Sequence, residues 1–486
     1  MTTPNRFRLC RVLPIVGLGV AVWLLGGGGW GPGGTVSSPR WNVVTVSHSH
    51  VPGNGTDPAP DDPEASLSAI GLTGDLSCGR RGCHGDVVSP DIPGGEWTRY
   101  TRNDPHAHAY DSLDSPRSQR IFQSWNQTAN RPYQRQDCLG CHAQPEAPVD
   151  LSREAHRSWF GGGIGCESCH GPARDWLGPH ARPQHKDHER LQPRPLHSAR
   201  LQAESCLGCH VGDAIRQVDH DLIAAGHPRL QFDFAADRHD WPTHWRPALD
   251  QDRRPLRDAV VGRLLALAAA LELLKIRADA TNPRWPELSE YGCFSCHVNL
   301  AAQPAFTPQA GDRPRRRPGQ LAWGSWHASS LLLDAEARLP DVHQTLAALR
   351  ERMESGDPNP DAIRNLARVA RSAVQAALRT LDRDASWDSL DPATLIPDHL
   401  NQARHVLDPE RARRERIRSR DWDRLARLYL DLATLGDDAR ATRRPLEDSA
   451  ELESLMDRLA DLLAFPQGND SPRIRLPGAG DQNDQD

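Results

Sequence analysis

Methionine and lysine are almost absent from this chain of 486 residues. Apart from the first residue, the only methionines are Met353 and Met456, so residues 76–300 offer no thioether side chain as a ligand. Lys186 and Lys275 are the only lysines. The formal net charge of −6 and a sequence pI near 6.4 exclude the basic character that is typical of nucleic-acid-binding proteins.

Apolar residues are also scarce: hydrophobic residues make up 38% of the chain and the mean hydropathy is −0.63. In an ordinary globular protein of this length, such a composition would give a thin core. Large apolar cofactors around which the chain folds would supply the missing interior.

Cysteine is confined to one recurring pattern, in which a pair of cysteines is followed directly by a histidine. Ten of the eleven cysteines belong to five such motifs, and only Cys10 lies outside them. Four motifs have the strict form C-x-x-C-H, whereas the first has four residues between its cysteines. The motifs comprise Cys78, Cys83 and His84; Cys138, Cys141 and His142; Cys166, Cys169 and His170; Cys206, Cys209 and His210; and Cys293, Cys296 and His297.

C-x-x-C-H is the attachment signature of c-type haem. Cysteines three positions apart lie on one side of a helical turn, and a histidine four positions after the first cysteine lies on the same side. Both thiols can then bond to one porphyrin while the imidazole ligates its iron. The motifs predict five covalently bound haems c, with the longer first motif looping out its two extra residues.

A structural zinc site is the main alternative, because paired cysteines and histidines also bind zinc. Zinc does not require a histidine directly after each pair, and five pairs cannot be grouped two by two. Disulfides within the pairs are disfavoured further, since cysteines so close in sequence rarely bridge.

Histidine is the abundant candidate for the second axial ligand of each iron, with 22 in the chain. The lack of methionine argues against high-potential His–Met ligation. We favour His106, His180, His227 and His244 as distal ligands, with His108 as the rival of His106. A second group comprises His156, His220 and His327.

The N-terminal residues 1–30 resemble an export signal, with three arginines followed by an apolar run from Val12 to about Leu25. No clear cleavage site comes after this run, so an uncleaved membrane anchor is the alternative. Residues 31–75 are predicted to be a flexible linker. Export agrees with haem attachment outside the cytoplasm, and we expect a periplasmic or other extracytoplasmic location, with anchoring to the inner membrane left open.

Residues 76–327 are predicted to form a pentahaem cytochrome domain of short helices and long loops around stacked haems. One long helix, Leu256 to Ala278, is expected to be a buried packing helix. Residues 328–466 predict an α-helical bundle of four or five helices, with Asp361 as an N-cap and Gly436 just past a helix end. The polar tail 467–486 is predicted to be disordered. The predicted fold class is therefore mainly α.

Several segments resemble the cytochrome c-554 family of multihaem cytochromes. These are Cys166–Pro172 with the sequence CESCHGP, Leu222–Leu230 with LIAAGHPRL, and Asn103–His106 with NDPH. The resemblance covers roughly residues 76–300. It implies closely stacked, mostly bis-histidine haems that pass electrons between periplasmic redox partners; in the namesake the donor is hydroxylamine oxidoreductase. Members of that type hold four haems, one without a sixth ligand, whereas this chain has five motifs.

An electron carrier is therefore the favoured function, with redox proteins as donor and acceptor. The alternative is an oxidoreductase that acts on a small nitrogen or sulfur compound at a five-coordinate haem. No motif ends in lysine, which disfavours the pentahaem nitrite reductases and their C-x-x-C-K site. A third hypothesis makes the C-terminal bundle a docking module for a partner complex.

The expanded first motif gives a direct test of haem loading. Replacing both Cys78 and Cys83 with alanine should lower the number of covalent haems per chain by one, because no thioether bond can then form there. A pyridine haemochrome assay combined with intact mass measurement would count them. An unchanged count would show that the first motif carries no haem.

Overall fold

The computed structural model describes eight stretches of the chain, with short gaps inside some of them. They are residues 70–85, 95–128, 136–244, 254–296, 320–327, 338–383, 390–408 and 422–463, without 146, 148–150, 189, 280, 283, 294–295, 325, 445 and 447–448. These stretches are mainly helical, and one isolated antiparallel bridge, between Tyr291 and Trp323, is the only β pairing in them. The predicted mainly α class is confirmed.

Up to residue 244 the helices are short and are joined by loops. The α-helices are α1 (Asp75–Cys78), α2 (Glu96–Asn103), α3 (Pro116–Thr128), α4 (Gln136–His142), α5 (Arg153–Phe160), α6 (Cys166–His170), α7 (Leu177–His180), α8 (Ala199–His210), α9 (His220–Ala224) and α10 (Phe234–Asp240). Three-residue or four-residue 3-10 turns occupy Pro105–His108, Asp111–Asp114 and, later, Leu288–Glu290.

Little apolar packing holds this part of the molecule together. Its separate clusters of buried apolar side chains contain only two or three residues each, such as Leu72 with Phe160 and Ala109 with Ile164. Clusters of this size bury too little surface to offset the entropy of ordering so many loop residues. This is the composition expected of a chain whose interior is supplied by cofactors.

The long helix α11 (Pro255–Arg277) is buried on most of its faces, as predicted. Pro255 occupies its first turn, where the missing N–H costs no hydrogen bond. Leucines 264, 267, 271 and 274 all lie in one large apolar cluster with helices of the C-terminal region. The helix therefore joins the motif-bearing region to the C-terminal helices.

The described residues between 338 and 463 form five helices: α12 (Pro340–Met353), α13 (Pro360–Leu381), α14 (Pro392–Leu407), α15 (Trp422–Ala441) and α16 (Ser449–Leu463). α13 packs on α11 and α12 packs on α13, while α14, α15 and α16 form a second cluster with Leu256 and Trp326. Both clusters cross the predicted boundary at residue 327. A division into two domains there stays a prediction, and the apolar cores are shared across it.

Two predicted helix ends in the C-terminal region were wrong. α13 is capped by Asn359, whose side chain accepts a hydrogen bond from the Ala362 N–H, and Asp361 lies inside the first turn. α15 continues through Gly436 to Ala441. It does so because Asp438, two residues past that glycine, is fully buried and accepts the N–H of Leu256 at the start of α11.

Buried ion pairs join α15 to the motif-bearing region. Asp233, just before α10, accepts hydrogen bonds from Arg263 of α11, at 2.9 Å, and from Arg427 of α15. Arg263 also donates to Asp431 of α15. All four side chains are almost fully buried. Burial opposes ionisation of Asp233, but the two guanidinium groups outweigh it and lower its pKa to about 2.

Several predictions fall wholly or partly outside the described residues. These are the export signal 1–30, the linker 31–75 up to residue 69, the tail 467–486 and the ligand His297. Residues 72–75 belong to the packed structure rather than to a linker: Leu72 is buried against Phe160, and Asp75 is fully buried. None of the described helices has the length and apolarity needed to span a membrane.

The buried pairs make a clear prediction for stability. Asp233→Asn should lower the free energy of unfolding by about 3–5 kcal/mol, because two buried guanidinium groups lose their shared counter-charge. The native pKa of about 2 lies below the usual value, so this contribution is complete above roughly pH 4 and is lost as the pH falls through 2. Urea unfolding followed by circular dichroism measures it.

Asp382→Asn is the matched control, since Asp382 is half exposed and pairs with Arg200 at the surface. It should cost about 1 kcal/mol or less. Equal losses in the two variants would contradict the account of the buried pairs.

Candidate haem sites

Helix ends present the cysteines and histidines of the first four motifs. The second motif closes α4, the third forms the whole of α6, and the fourth closes α8. In the longer first motif, Cys78 ends α1, and a turn with Gly82 at a φ of 83° brings Cys83 and His84 back. The His84 N–H donates to the Cys78 carbonyl at 3.1 Å, so the extra residues are looped out as predicted.

Each of these four motif histidines faces one of the four favoured distal histidines. The ring centres of His84 and His180 are 6.4 Å apart, with the rings nearly parallel. The other three pairs cross at 71° to 89°. They are His106 with His210 at 6.3 Å, His142 with His227 at 6.5 Å, and His170 with His244 at 6.4 Å.

This spacing fits an iron between the rings. An imidazole nitrogen lies about 2 Å from a metal that it ligates and about 1 Å from its own ring centre, so two imidazoles on opposite sides of one metal have centres about 6 Å apart. Imidazoles in direct contact would lie closer. The four pairs therefore have the separation of two axial ligands of one haem.

Hydrogen bonds at Nδ1 leave Nε2 available as the ligand atom in five of these histidines. Nδ1–H donates to a backbone carbonyl in His142, His180 and His227, at 3.1, 3.1 and 2.7 Å. Nδ1 of His84 lies 3.3 Å from a carboxylate oxygen of Glu96. Metal-ligating histidines usually carry such a partner on the other nitrogen, which fixes the tautomer and the ring orientation.

Asp104 is the corresponding partner of His106 and was not singled out from the sequence. Its buried carboxylate lies 2.7 Å from Nδ1 of His106 and also accepts the indole N–H of Trp241 at 2.7 Å. Burial opposes its ionisation, but the contacts with His106 and Trp241 outweigh this and lower its pKa. A carboxylate at this position increases the basicity of an imidazole ligand.

Burial keeps five of the eight paired imidazoles neutral. Desolvation lowers the pKa of His170 and of His227 to about 4 and that of His210 to about 3. It also lowers the pKa of His142 and His244. A neutral imidazole keeps the lone pair that a metal requires.

Neighbouring pairs are close to each other, and their order differs from the order in the sequence. The Cys78 thiol lies beside that of Cys166, which lowers the pKa of Cys78 and raises that of Cys166. The Cys209 thiol lies beside that of Cys141, and burial together with this contact raises the pKa of Cys209. Burial raises the pKa of Cys206, and nearby Cys169 adds to the shift. The first motif thus adjoins the third, the third adjoins the fourth, and the fourth adjoins the second.

Polar side chains lie where neighbouring motifs meet. Glu167, between the cysteines of the third motif, accepts the N–H groups of Thr73, Gly74 and Ala173 at 2.7 to 3.1 Å, and so fastens the first motif to the third. Arg216 lies across the glycines of the second and fourth motifs; its Cγ would be 3.1 Å from a Cβ at Gly140. Glycine at positions 140 and 208 leaves room for the Arg216 side chain.

The other histidine candidates do not face a motif histidine in the described part of the chain. His108, the rival of His106, is exposed. His156 is buried and stacks on Tyr110 at 4.1 Å between ring centres. His220 is half-buried at the start of α9, and His327 lines a cavity beside the fifth motif. Where residues are described, no three or more His, Cys, Asp or Glu side chains form a cluster that could hold a metal ion.

Comparison with known proteins agrees with this geometry. Residues 78–171, which include the first three motifs, match the sequence model of the family described as cytochrome c554 and c-prime. The chain is a c-type cytochrome that resembles this family. The match is shorter than the resemblance over residues 76–300 inferred from motifs. No curated protein and no solved structure matches the chain.

As a c-type cytochrome, the chain binds haem covalently and takes part in electron transfer. The family match indicates covalently bound haem, whereas the pairing of the imidazoles is observed in the structure of this chain. His106 lies inside the matched segment, and its partner His210 lies outside it. The match alone would therefore miss half of the histidines that the structure brings together in pairs.

The neighbours His106 and His108 provide a matched test of axial ligation. His106→Ala should convert one low-spin haem to high spin, because the iron opposite His210 loses its sixth ligand. His108→Ala should leave the spin state unchanged, since that side chain is exposed. Electron paramagnetic resonance of the ferric protein distinguishes the two. A high-spin signal from the His108 variant, with none from the His106 variant, would reverse the assignment.

Proposed function

We propose that this protein is an exported multihaem cytochrome with five haems c that carries electrons between redox partners, mostly through bis-histidine irons. The observation that carries the proposal is the set of four histidine pairs, each with ring centres 6.3 to 6.5 Å apart. An iron with two imidazole ligands has no open position for a substrate. Electron transfer needs none, which favours a carrier over a catalyst.

The arrangement of the pairs supports a continuous route. They follow one another as His84/His180, His170/His244, His106/His210 and His142/His227. Contacts between the thiols support the first and last steps. The middle step is supported by the proximity of Cys169 to Cys206 and of His244 to His106. We propose that electrons follow this order, so the second motif in the sequence lies at the far end of the four.

The chain contributes position, protonation state and local charge. Haem c, when bound, supplies a one-electron ferric–ferrous couple, which the protein tunes through ligands, burial and hydrogen bonds. Carbonyl and carboxylate partners at Nδ1 orient these imidazoles so that Nε2 is free to ligate an iron. With haem bound, Asp104 would make His106 a more strongly donating ligand and would favour the ferric state. Arg216, next to Cys141 and Cys209, places a positive charge near the second and fourth motifs.

The redox partners and the location belong to the proposal as well. Attachment of haem c outside the cytoplasm supports export to the periplasm, and the arginine-led apolar segment before residue 30 supports a signal or an inner-membrane anchor. The donor and the acceptor are expected to be redox proteins that exchange single electrons.

The proposal is tested on protein purified from a host that matures c-type cytochromes. As a carrier, it should take up one electron per haem in a reductive titration, give mainly low-spin ferric signals, and show no turnover with hydroxylamine or nitrite. A high-spin ferric signal together with steady-state turnover of either compound would overturn the carrier function in favour of the oxidoreductase.

A further inference from the structure

Each of the first four motif histidines faces a distal histidine, whereas no such pair is described for the fifth motif. A cavity lies beside the fifth motif. This cavity of about 70 Å³ is bounded by α11, by Arg229 and Leu230, and by residues 323–327. Its wall is apolar where Val211, Leu267 and Leu271 contribute, and it carries the charged side chains of Arg229 and Arg277.

The fifth motif lies at this cavity. The Sγ of Cys293 is 4.0 Å from Nη1 of Arg229, which lines the cavity. Backbone pairing ties the residues just before the motif to the cavity wall. The Gly292 N–H donates to the Ala322 carbonyl at 2.9 Å, and the Gly324 N–H donates to the Glu290 carbonyl at 2.7 Å. The segment that ends in His327 is therefore held alongside the start of the fifth motif.

His327 is the histidine that this segment presents to the cavity. Its Nδ1 is buried and makes no hydrogen bond to the protein, although a buried polar nitrogen without a partner is costly. No motif histidine in the described part of the chain faces it. Of the two other candidates, His156 packs on Tyr110 and His220 does not line the cavity.

We propose that His327, in the wall of this cavity, is the distal ligand of the haem of the fifth motif. The proposal rests on the proposed multihaem function and adds to it the sixth ligand of the fifth iron. The motif's own histidine, His297, lies outside the described residues, so the argument stands on Cys293, the cavity wall and His327.

The C-terminal helix α15 gains a role from this proposal, because it holds both sides of the cavity. Asp423 accepts hydrogen bonds from Arg229 at 2.6 Å and from Gln231 at 2.7 Å. Arg427 stacks 4.0 Å from the ring centre of Trp326 and donates through Nε to the Trp326 carbonyl at 2.6 Å. Trp326 directly precedes His327. The helix α15 therefore positions the distal ligand as well as the arginine beside Cys293.

His327→Met tests the ligand while keeping a side chain that can ligate iron. Methionine opposite histidine raises the reduction potential of a haem. One haem of the variant should therefore titrate at a higher potential than any in the parent, with the haem count unchanged. His343→Met is the control, because His343 is half-buried in α12 and does not line the cavity; it should leave every potential in place.

His327→Ala provides an independent readout. One iron should become high-spin, and added imidazole should restore the low-spin signal by filling the vacated position. An unchanged spin state in the alanine variant, together with unchanged potentials in the methionine variant, would overturn the assignment of His327. A pyridine haemochrome count separates the two hypotheses, since a parent protein without covalent haem would refute the multihaem function itself.

Discussion

Four pairs of facing imidazoles, each with the spacing that fits an iron between the rings, are the constraint on which the first half of this structure depends. The members of each pair lie far apart in the sequence, so each closes a long loop whose entropy must be offset. In chain order, the first four paired histidines, 84, 106, 142 and 170, meet the next four, 180, 210, 227 and 244, in the same order. Apolar clusters of two or three residues cannot supply this stabilisation alone. In the proposed haem-loaded protein, bonds to iron and the apolar porphyrin faces supply the rest.

The motifs themselves could be predicted from the sequence, because covalent haem attachment demands a fixed spacing of thiols and imidazole. The four favoured distal histidines are also the four that the structure brings opposite motif histidines. The choice between His106 and His108 could not be derived from spacing, since both are histidines two positions apart in one short turn. Asp104 decides it: it caps that 3-10 turn and holds Nδ1 of His106, leaving His108 exposed.

Other features could not be predicted from the sequence because they depend on tertiary contacts. Gly436 has the local character of a helix end, yet α15 continues past it because the buried Asp438 holds the start of α11. The order of the pairs likewise depends on which thiols meet in space. Glu167 is buried and Arg216 is half-buried at the junctions, but in the sequence they resemble ordinary surface charges. Their role becomes visible only once the motifs are placed side by side.

The two halves of the chain differ in what stabilises them, and α11 joins them. The C-terminal helices have two large apolar cores and a buried cluster of ion pairs around Asp233. Through α11 and these ion pairs, they are fixed against the loop-rich haem region. The most direct measurement is a crystal structure of the haem-loaded protein with anomalous scattering recorded at the iron absorption edge. The account predicts an iron midway between the rings of each of the four histidine pairs. Iron positions away from those midpoints, or anomalous signal from zinc instead of iron, would contradict it.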